Sequence, residues 1–325
     1  MKSFRLLRIG LVTAAMLTAS SGCGSGDIQA TPLAAQSTTT LAVPQHEDFM
    51  GRLSVYPTKA RLLFQADVNN GTPYIQIIRV RDLGKNRYPV ATIVDGLCLP
   101  QGLAMDKIGT LYVANGCNKS MSITEYPLGQ TTHSAIITNG LSYPGPKALA
   151  IGPKQTLYVT DSASVIEYPY GSSSPSKTIT SPGFSNIRGL TVDHAGNIFI
   201  ADAGVGAVWK IPHGTRNVEN MGLHGLDNPD DVKFDPKGNL WVSDNGKNYV
   251  PGFVNIYPPG SVYPSQTITP LGYPYWMAID RAGTAVISNT AGSASTVNAY
   301  KPGQYTPYAI LTNGVIDPAG LVIKP

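Results

Sequence analysis

A short apolar strand ending in Asp or Asn recurs six times along this chain. The copies are Leu63 to Asp67, Leu111 to Asn115 (LYVAN), Leu157 to Asp161 (LYVTD), Ile198 to Asp202 (IFIAD), Leu240 to Asp244 (LWVSD) and Ala285 to Asn289 (AVISN). Successive copies start 48, 46, 41, 42 and 45 residues apart, the length of one four-stranded sheet unit. A second segment, of the form P-x-G-L-x-x-D, precedes five of them: Pro100 to Asp106, Pro146 to Gly152, Ile187 to Asp193, Pro229 to Asp235 and Pro274 to Asp280. Most then turn through Asp-x-x-Gly, in which the carboxylate caps backbone N–H groups and Gly tolerates the return angle, so the two segments form a hairpin. A third strand follows, such as Ile123 to Tyr126 or Val254 to Tyr257, usually ahead of a Pro and a Gly, and then a short polar fourth, such as Ala135 to Thr138. The 34 Gly and 26 Pro are spread evenly among these pieces, punctuation that argues against a helical bundle.

The first copy lacks a P-x-G-L segment ahead of it, whereas the chain ends on one, Pro318-Ala319-Gly320-Leu321-Val322-Ile323. The terminal strand is therefore expected to complete the first sheet, which removes two exposed edges and ties the chain ends together. The fold expected is all-β: a six-bladed β-propeller of four-stranded antiparallel blades. Its expected blades are 61–96 plus 317–325, 100–140, 146–182, 187–222, 229–271 and 274–313.

The N-terminus has the order of an export signal over residues 1–22: basic (Lys2, Arg5, Arg8), then apolar from Ile9 to Leu17, then small up to Cys23. Ser21-Gly22-Cys23 resembles a bacterial lipobox, in which the Cys is acylated; the family usually carries Leu where this chain has Ser20. Lipidation at Cys23 would hold the protein on a membrane of the cell envelope without a spanning helix, and ordinary signal-peptidase cleavage is the alternative. Residues 23–60, rich in Ser, Thr, Gln and Ala, read as a flexible tether. Three of the four net positive charges belong to the signal, so about +1 remains and nucleic acid is not an expected partner. Export leaves Cys98 and Cys117 as an even pair in an oxidising compartment, and a disulfide between them is expected. Both fall in loops on one end of such a ring. A reactive thiol is the other reading, but no base is placed near either.

The stretches PQGLAMDKIGTLYVAN, IRGLTVDHAGNIFIAD and PDDVKFDPKGNLWVSD resemble the six-bladed propellers of the NHL-repeat and SMP-30/gluconolactonase-like superfamily, over about residues 61 to 325. The repeated Y-P-x-G ending also resembles exported bacterial propellers. The resemblance implies the fold; for function it allows lactonases, lyases, sensors and binding scaffolds. Lactonases of this group hold one divalent metal at the channel mouth, with ligands just before the Gly of the inner strands. Here that position reads Gln101, Lys147, Arg188, Asp230, Tyr275 and Ala319. Only Asp230 is an anionic ligand, and Lys147 and Arg188 add positive charge nearby. At a dielectric near 20, each unit charge about 8 Å away repels a divalent ion by about 4 kcal/mol. A calcium lactonase site is thus disfavoured, and no cofactor is expected.

The ring better suits a small polar or anionic ligand: Lys147 and Arg188 to pair a carboxylate, Asp230 to accept from hydroxyls, Tyr275 and Trp276 to stack on an apolar face. The alternative is that the cations pair with Asp230 and Asp231 inside a solvated channel. The strand-end acids read first as turn caps. His224, in the loop before blade 5, is a weak metal or acid–base candidate beside Asp230, while His133, His194 and His213 are expected on solvated turns. No nucleophile elbow, phosphate loop or C-x-x-C occurs. The leading expectation is a cell-envelope binding or scaffold propeller whose loop-bearing end takes a small ligand or an envelope protein. The alternative is a metal-dependent lactonase or lyase acting at the same mouth.

Overall fold

The structure is a computed structural model that describes residues 55–68, 72–85, 87–117, 120–249, 251–291 and 294–324. These lie in one of the chain's two compact units, His46–Pro325; the other, Met1–Gln45, with the expected signal and Cys23, lies outside the described residues. Six four-stranded antiparallel sheets make up the fold, each a meander from an inner to an outer strand. Among the described residues helix is limited to 3-10 turns at Val80–Asp82, Pro153–Gln155 and Lys247–Tyr249. No helix among them is long and apolar enough to cross a membrane.

The ring closes as the sequence requires. Pro318–Ile323 is the inner strand of blade 1 and pairs with Leu62–Asp67, in the register Leu63↔Ile323, Phe64↔Val322 and Gln65↔Leu321. The fourth strand of blade 4, for which the sequence shows no clear signal, is the two-residue Glu219–Asn220. Its brevity follows from the polar composition of the segment: neither residue has an apolar face to bury.

The second strand of each blade is apolar throughout because both of its faces are covered. In Leu111–Asn115, Leu111 and Val113 pack towards blade 1, while Tyr112 and Ala114 pack towards blade 3. Alternation along a strand thus feeds two different cores. Among the described residues the buried apolar side chains form six clusters, one between each pair of neighbouring blades. Tyr126, Tyr168, Tyr257 and Tyr300, at the ends of third strands, are among the largest fully buried side chains. The first three donate their hydroxyls to the carbonyls of Asp95, Asn139 and His224, in the connections arriving from the preceding blade.

Residues 55–60, at the end of the stretch read as a tether, are packed and not free. Tyr56 is buried edge-on against Phe64, its N–H donates to the Gly129 carbonyl at 2.8 Å, and Val55 bridges Gln130. One aromatic side chain with a matching crevice is enough to fix the segment, which composition averaged over the stretch conceals.

Candidate functional site

Loops joining second to third strands, and the connections between blades, share one end of a meander ring. At that end the strand-end acids hold the incoming connection of their own blade. The Asp202 carboxylate accepts from the backbone N–H groups of Ser185, Asn186 and Gly204 and from Trp209 Nε1. Asp244 accepts from Asp227, Asn228 and Gly246, and Asp67 from Ile316 and Asp317. Asn115 and Asn289 take the N–H groups of Cys98 and Gly272. These side chains are committed to loop geometry. In the same way the Asp-x-x-Gly turns close at the other end: Asp106 accepts from Ile108 and Thr110, and Gly109 has φ +94°.

The mouth is stiffened in one sector. Cys98 and Cys117 are joined in a disulfide, with a Cα–Cα distance of 5.5 Å, linking the connection into blade 2 with the loop after its second strand. The Gly116 N–H donates to the Leu99 carbonyl between them. Leu99 is held at φ +48°, a left-handed conformation that a branched side chain rarely takes unless its neighbours are fixed.

Inner strands of adjacent blades approach so closely that the third position of P-x-G-L tolerates little beyond hydrogen. A Cβ on Gly320 would lie 2.1 Å from the Gln101 carbonyl oxygen, and one on Gly102 would lie 2.5 Å from that of Lys147. In blade 3 that slot holds Ala148, and in blades 5 and 6 it holds Asp231 and Trp276. Asp231 is fully buried and turned into the wall: it accepts from Lys233 Nζ at 2.6 Å, from the Val232 N–H, and across to blade 6 from the Met277 N–H at 2.9 Å. Burial pushes its carboxyl above the usual range against the pull of Lys233. Trp276, half-buried, packs on the clusters between blades 6 and 1, 1 and 2, and 3 and 4. An indole rooted on blade 6 reaches the cluster between blades 3 and 4 only by crossing the central channel, so it forms a floor beneath the mouth. Its backbone N–H and carbonyl are both held by Ser288.

The residues above that floor divide the ring in two. Blades 3 to 5 carry Lys147, Arg188 and Asp230; blades 6, 1 and 2 carry Tyr275, Ala319 and Gln101. Arg188 is ion-paired with Asp230 Oδ1, and the second carboxylate oxygen accepts from Asn245 Nδ2. Part of the alternative weighed for the cations is therefore present: Arg188 is answered by Asp230, whereas Lys147 donates to Asn186 Oδ1 at 2.9 Å and Asp231 is taken by Lys233. Burial pushes the Asp230 carboxyl up to about 6, Arg188 opposing the shift. Burial, then the Arg188 charge, lower the Lys147 ammonium. Asn245 is fully buried, and its Oδ1 has no hydrogen-bond partner among the described residues. Tyr275 stacks on Tyr273, ring centroids 6.0 Å apart, at the rim.

Asn245 is the site residue that sequence reasoning missed, because directly after a strand-end Asp it reads as an ordinary turn residue. Thr160, Ser243 and Ser288 were missed for a similar reason. Their hydroxyls accept the N–H groups of Ala148, Asp231 and Trp276 in the inner strands. In blades 3 and 5 these N–H groups lie within the register shift of that strand. His224 lies apart from this arrangement: its exposed ring stacks on Tyr263 at 4.4 Å, and Tyr263 belongs to a loop at the opposite end. Among the described residues no group of three or more His, Cys, Asp or Glu side chains is placed to hold a metal. His194 and His213 are exposed; His133 departs from the solvated reading, because Asp95 binds its Nδ1 at 2.5 Å.

No family model matches the sequence, and no curated protein matches it. A solved structure described as a nidogen/laminin complex is similar with a TM-score of 0.66 and 16% identity, over 82% of this chain and 99% of that one. A virginiamycin B lyase from Staphylococcus aureus is similar with a TM-score of 0.46 and 14% identity, over 63% of this chain and 67% of that one. The first of these likenesses agrees with the six sheets and their closure: the chain is a β-propeller.

Proposed function

We propose that the loop-bearing mouth binds a small anionic or hydroxyl-rich molecule, a carboxylated sugar being the type of ligand that fits its groups. The observation that carries this reading is the Arg188–Asp230–Asn245 cluster above an indole floor. A carboxylate competes with Asp230 for the Arg188 fork, a hydroxyl donates to the orphaned Asn245 Oδ1, and the apolar face of a sugar ring lies on Trp276. In this reading the protein is an exported propeller of the NHL/SMP-30-like kind, tethered through an acylated Cys23 to a membrane of the cell envelope. A metal-dependent lactonase or lyase at the same mouth is the rival, and it requires Asp230 to give up Arg188 for a cation. Asp230 supports that rival only through its raised pKa, which also suits an acid–base group.

Trp276 is one of three tryptophans, and in a Trp209→Phe/Trp241→Phe background its fluorescence reports the site. Titration of the exported chain with galacturonate is expected to change its emission, and Arg188→Gln to weaken the half-saturation point by about tenfold, the loss of one charged hydrogen-bonding fork. Equal binding by Arg188→Gln would overturn the reading, and stoichiometric calcium or zinc in chelator-free protein would favour the rival.

A further inference from the structure

The end of the ring remote from the mouth carries the turns that join first to second and third to fourth strands. There, in the crevice where blade 6 meets blade 1, a cleft of about 360 Å3 is lined by Ala60, Arg61, Arg79, Val80, Arg81 and Tyr308. Arg61 is already committed, to the Asp280 carboxylate and to Thr284 Oγ1 at 2.8 Å. Among the described residues neither Arg79 nor Arg81 has such a partner. Asp82 is the one acid between residues 79 and 88, and it is taken by Lys85 at 3.6 Å and Arg87 at 3.7 Å. Among the described residues no carboxylate pairs with either Arg79 or Arg81. From blade 6, Lys301 Nζ stands 5.6 Å from the centre of the Tyr308 ring and adds positive charge beside the cleft.

Two guanidinium groups that no carboxylate answers and a phenol line one concave site, and their N–H and O–H donors suit a tetrahedral oxyanion of charge near −2. We propose that this seam cleft binds a phosphate group, held by Arg79 and Arg81 from blade 1 and the Tyr308 hydroxyl from blade 6. The inference is independent of any ligand at the mouth. Occupancy would clamp together the two blades that ring closure brings into contact, so binding stabilises the closed ring by mass action. The phosphate has two chemical sources, a soluble monoester or a phospholipid headgroup.

The test uses the exported chain carrying Cys23→Ser, so that no acyl chain contributes, with and without Arg79→Gln/Arg81→Gln; Lys237→Gln, on a turn of blade 5 at the same end, is the charge control. Binding is measured by equilibrium dialysis with inorganic phosphate and glycerol 3-phosphate, and by sedimentation with phosphatidylcholine vesicles containing phosphatidylglycerol. Dialysis avoids the general stabilisation that phosphate exerts through exclusion from protein surfaces. Soluble binding that weakens about tenfold or more in the double variant but not in Lys237→Gln supports the proposal and assigns a soluble source. Binding to anionic vesicles alone, lost in the same variant, supports it with a headgroup as the source. No binding to either, or a loss equal to that of Lys237→Gln, overturns it. Should the double variant fold poorly, Tyr308→Phe removes only the hydroxyl, and a few-fold weakening is the supporting result; unchanged affinity overturns the proposal.

Discussion

At the mouth three cations among the described residues are answered from within the fold: Arg188 by Asp230, Lys147 by Asn186, Lys233 by Asp231. At the far end Arg79 and Arg81 stand in an open cleft with the one local acid already shared by two other cations. The same six sheets support both ends, so the contrast comes from burial. A charge drawn into the narrowing channel costs several kcal/mol unless a partner is built beside it, whereas one on an outer turn stays hydrated and needs none. Internal pairing at the mouth therefore fixes geometry and leaves a ligand to compete for a group already satisfied. The surplus at the far end is open to any partner of opposite charge.

The contrast breaks most visibly at Asp231. Asp231→Ala leaves Lys233 beside the channel wall without its carboxylate and the Met277 N–H without an acceptor, and a loss of about 3–5 kcal/mol is expected by urea denaturation. Asp231→Leu combined with Lys233→Met should recover much of it, since both charges then leave together. Next comes the disulfide. Its Cys residues are separated by 19 positions, and Cys98→Ser/Cys117→Ser is expected to cost about 3 kcal/mol by the loop-entropy account, read from the same denaturation curves.

A third effect depends on pH. The folded Asp230 carboxyl titrates at about 6, above its ordinary 3.8, so between these values the native state holds a proton that the unfolded chain has released. Stability from this group is therefore fully present below 3.8 and is lost as pH rises through 6, by about 3 kcal/mol. Asp161 and Asp244, raised by burial, slope the same way. The difference between wild type and Asp230→Asn over pH 4–7 isolates the Asp230 share, and its absence would contradict the burial argument. The smallest effect belongs to the far end. Arg79→Gln/Arg81→Gln should change stability in phosphate-free buffer by no more than about 0.5 kcal/mol, because nothing in the fold relies on those charges. A larger loss would mean that they are paired after all.

The architecture was legible because the repeat states it: the strand-end acids mark each blade, and the unmatched Pro318–Ile323 segment names its partner near Leu63. The disulfide is legible from the even pair of cysteines that remains beyond Cys23. What the sequence could not convey are relations between blades. Gly102, Gly189 and Gly320 repeat visibly, yet the backbone that each must admit belongs to a strand more than 40 residues away in two cases and to Gln101, in the second blade, in the third. By sequence Trp276 reads as a rim stacking residue beside Tyr275; that it crosses the channel follows from its place in a slot that is Gly or Ala in blades 1 to 4. Arg79 and Arg81 leave no mark on the net charge of the whole chain, because cleft formation depends on which turns meet at the seam.

The competition proposed at Arg188 makes the sharpest demand. Protonation of Asp230 frees the guanidinium, so affinity for galacturonate should rise by about tenfold between pH 7.5 and pH 5, where the carboxylate of the sugar is still ionised. Asp230→Asn should bind at pH 7.5 as tightly as wild type does at pH 5, with a flat profile. A variant whose pH profile parallels that of wild type would contradict the account.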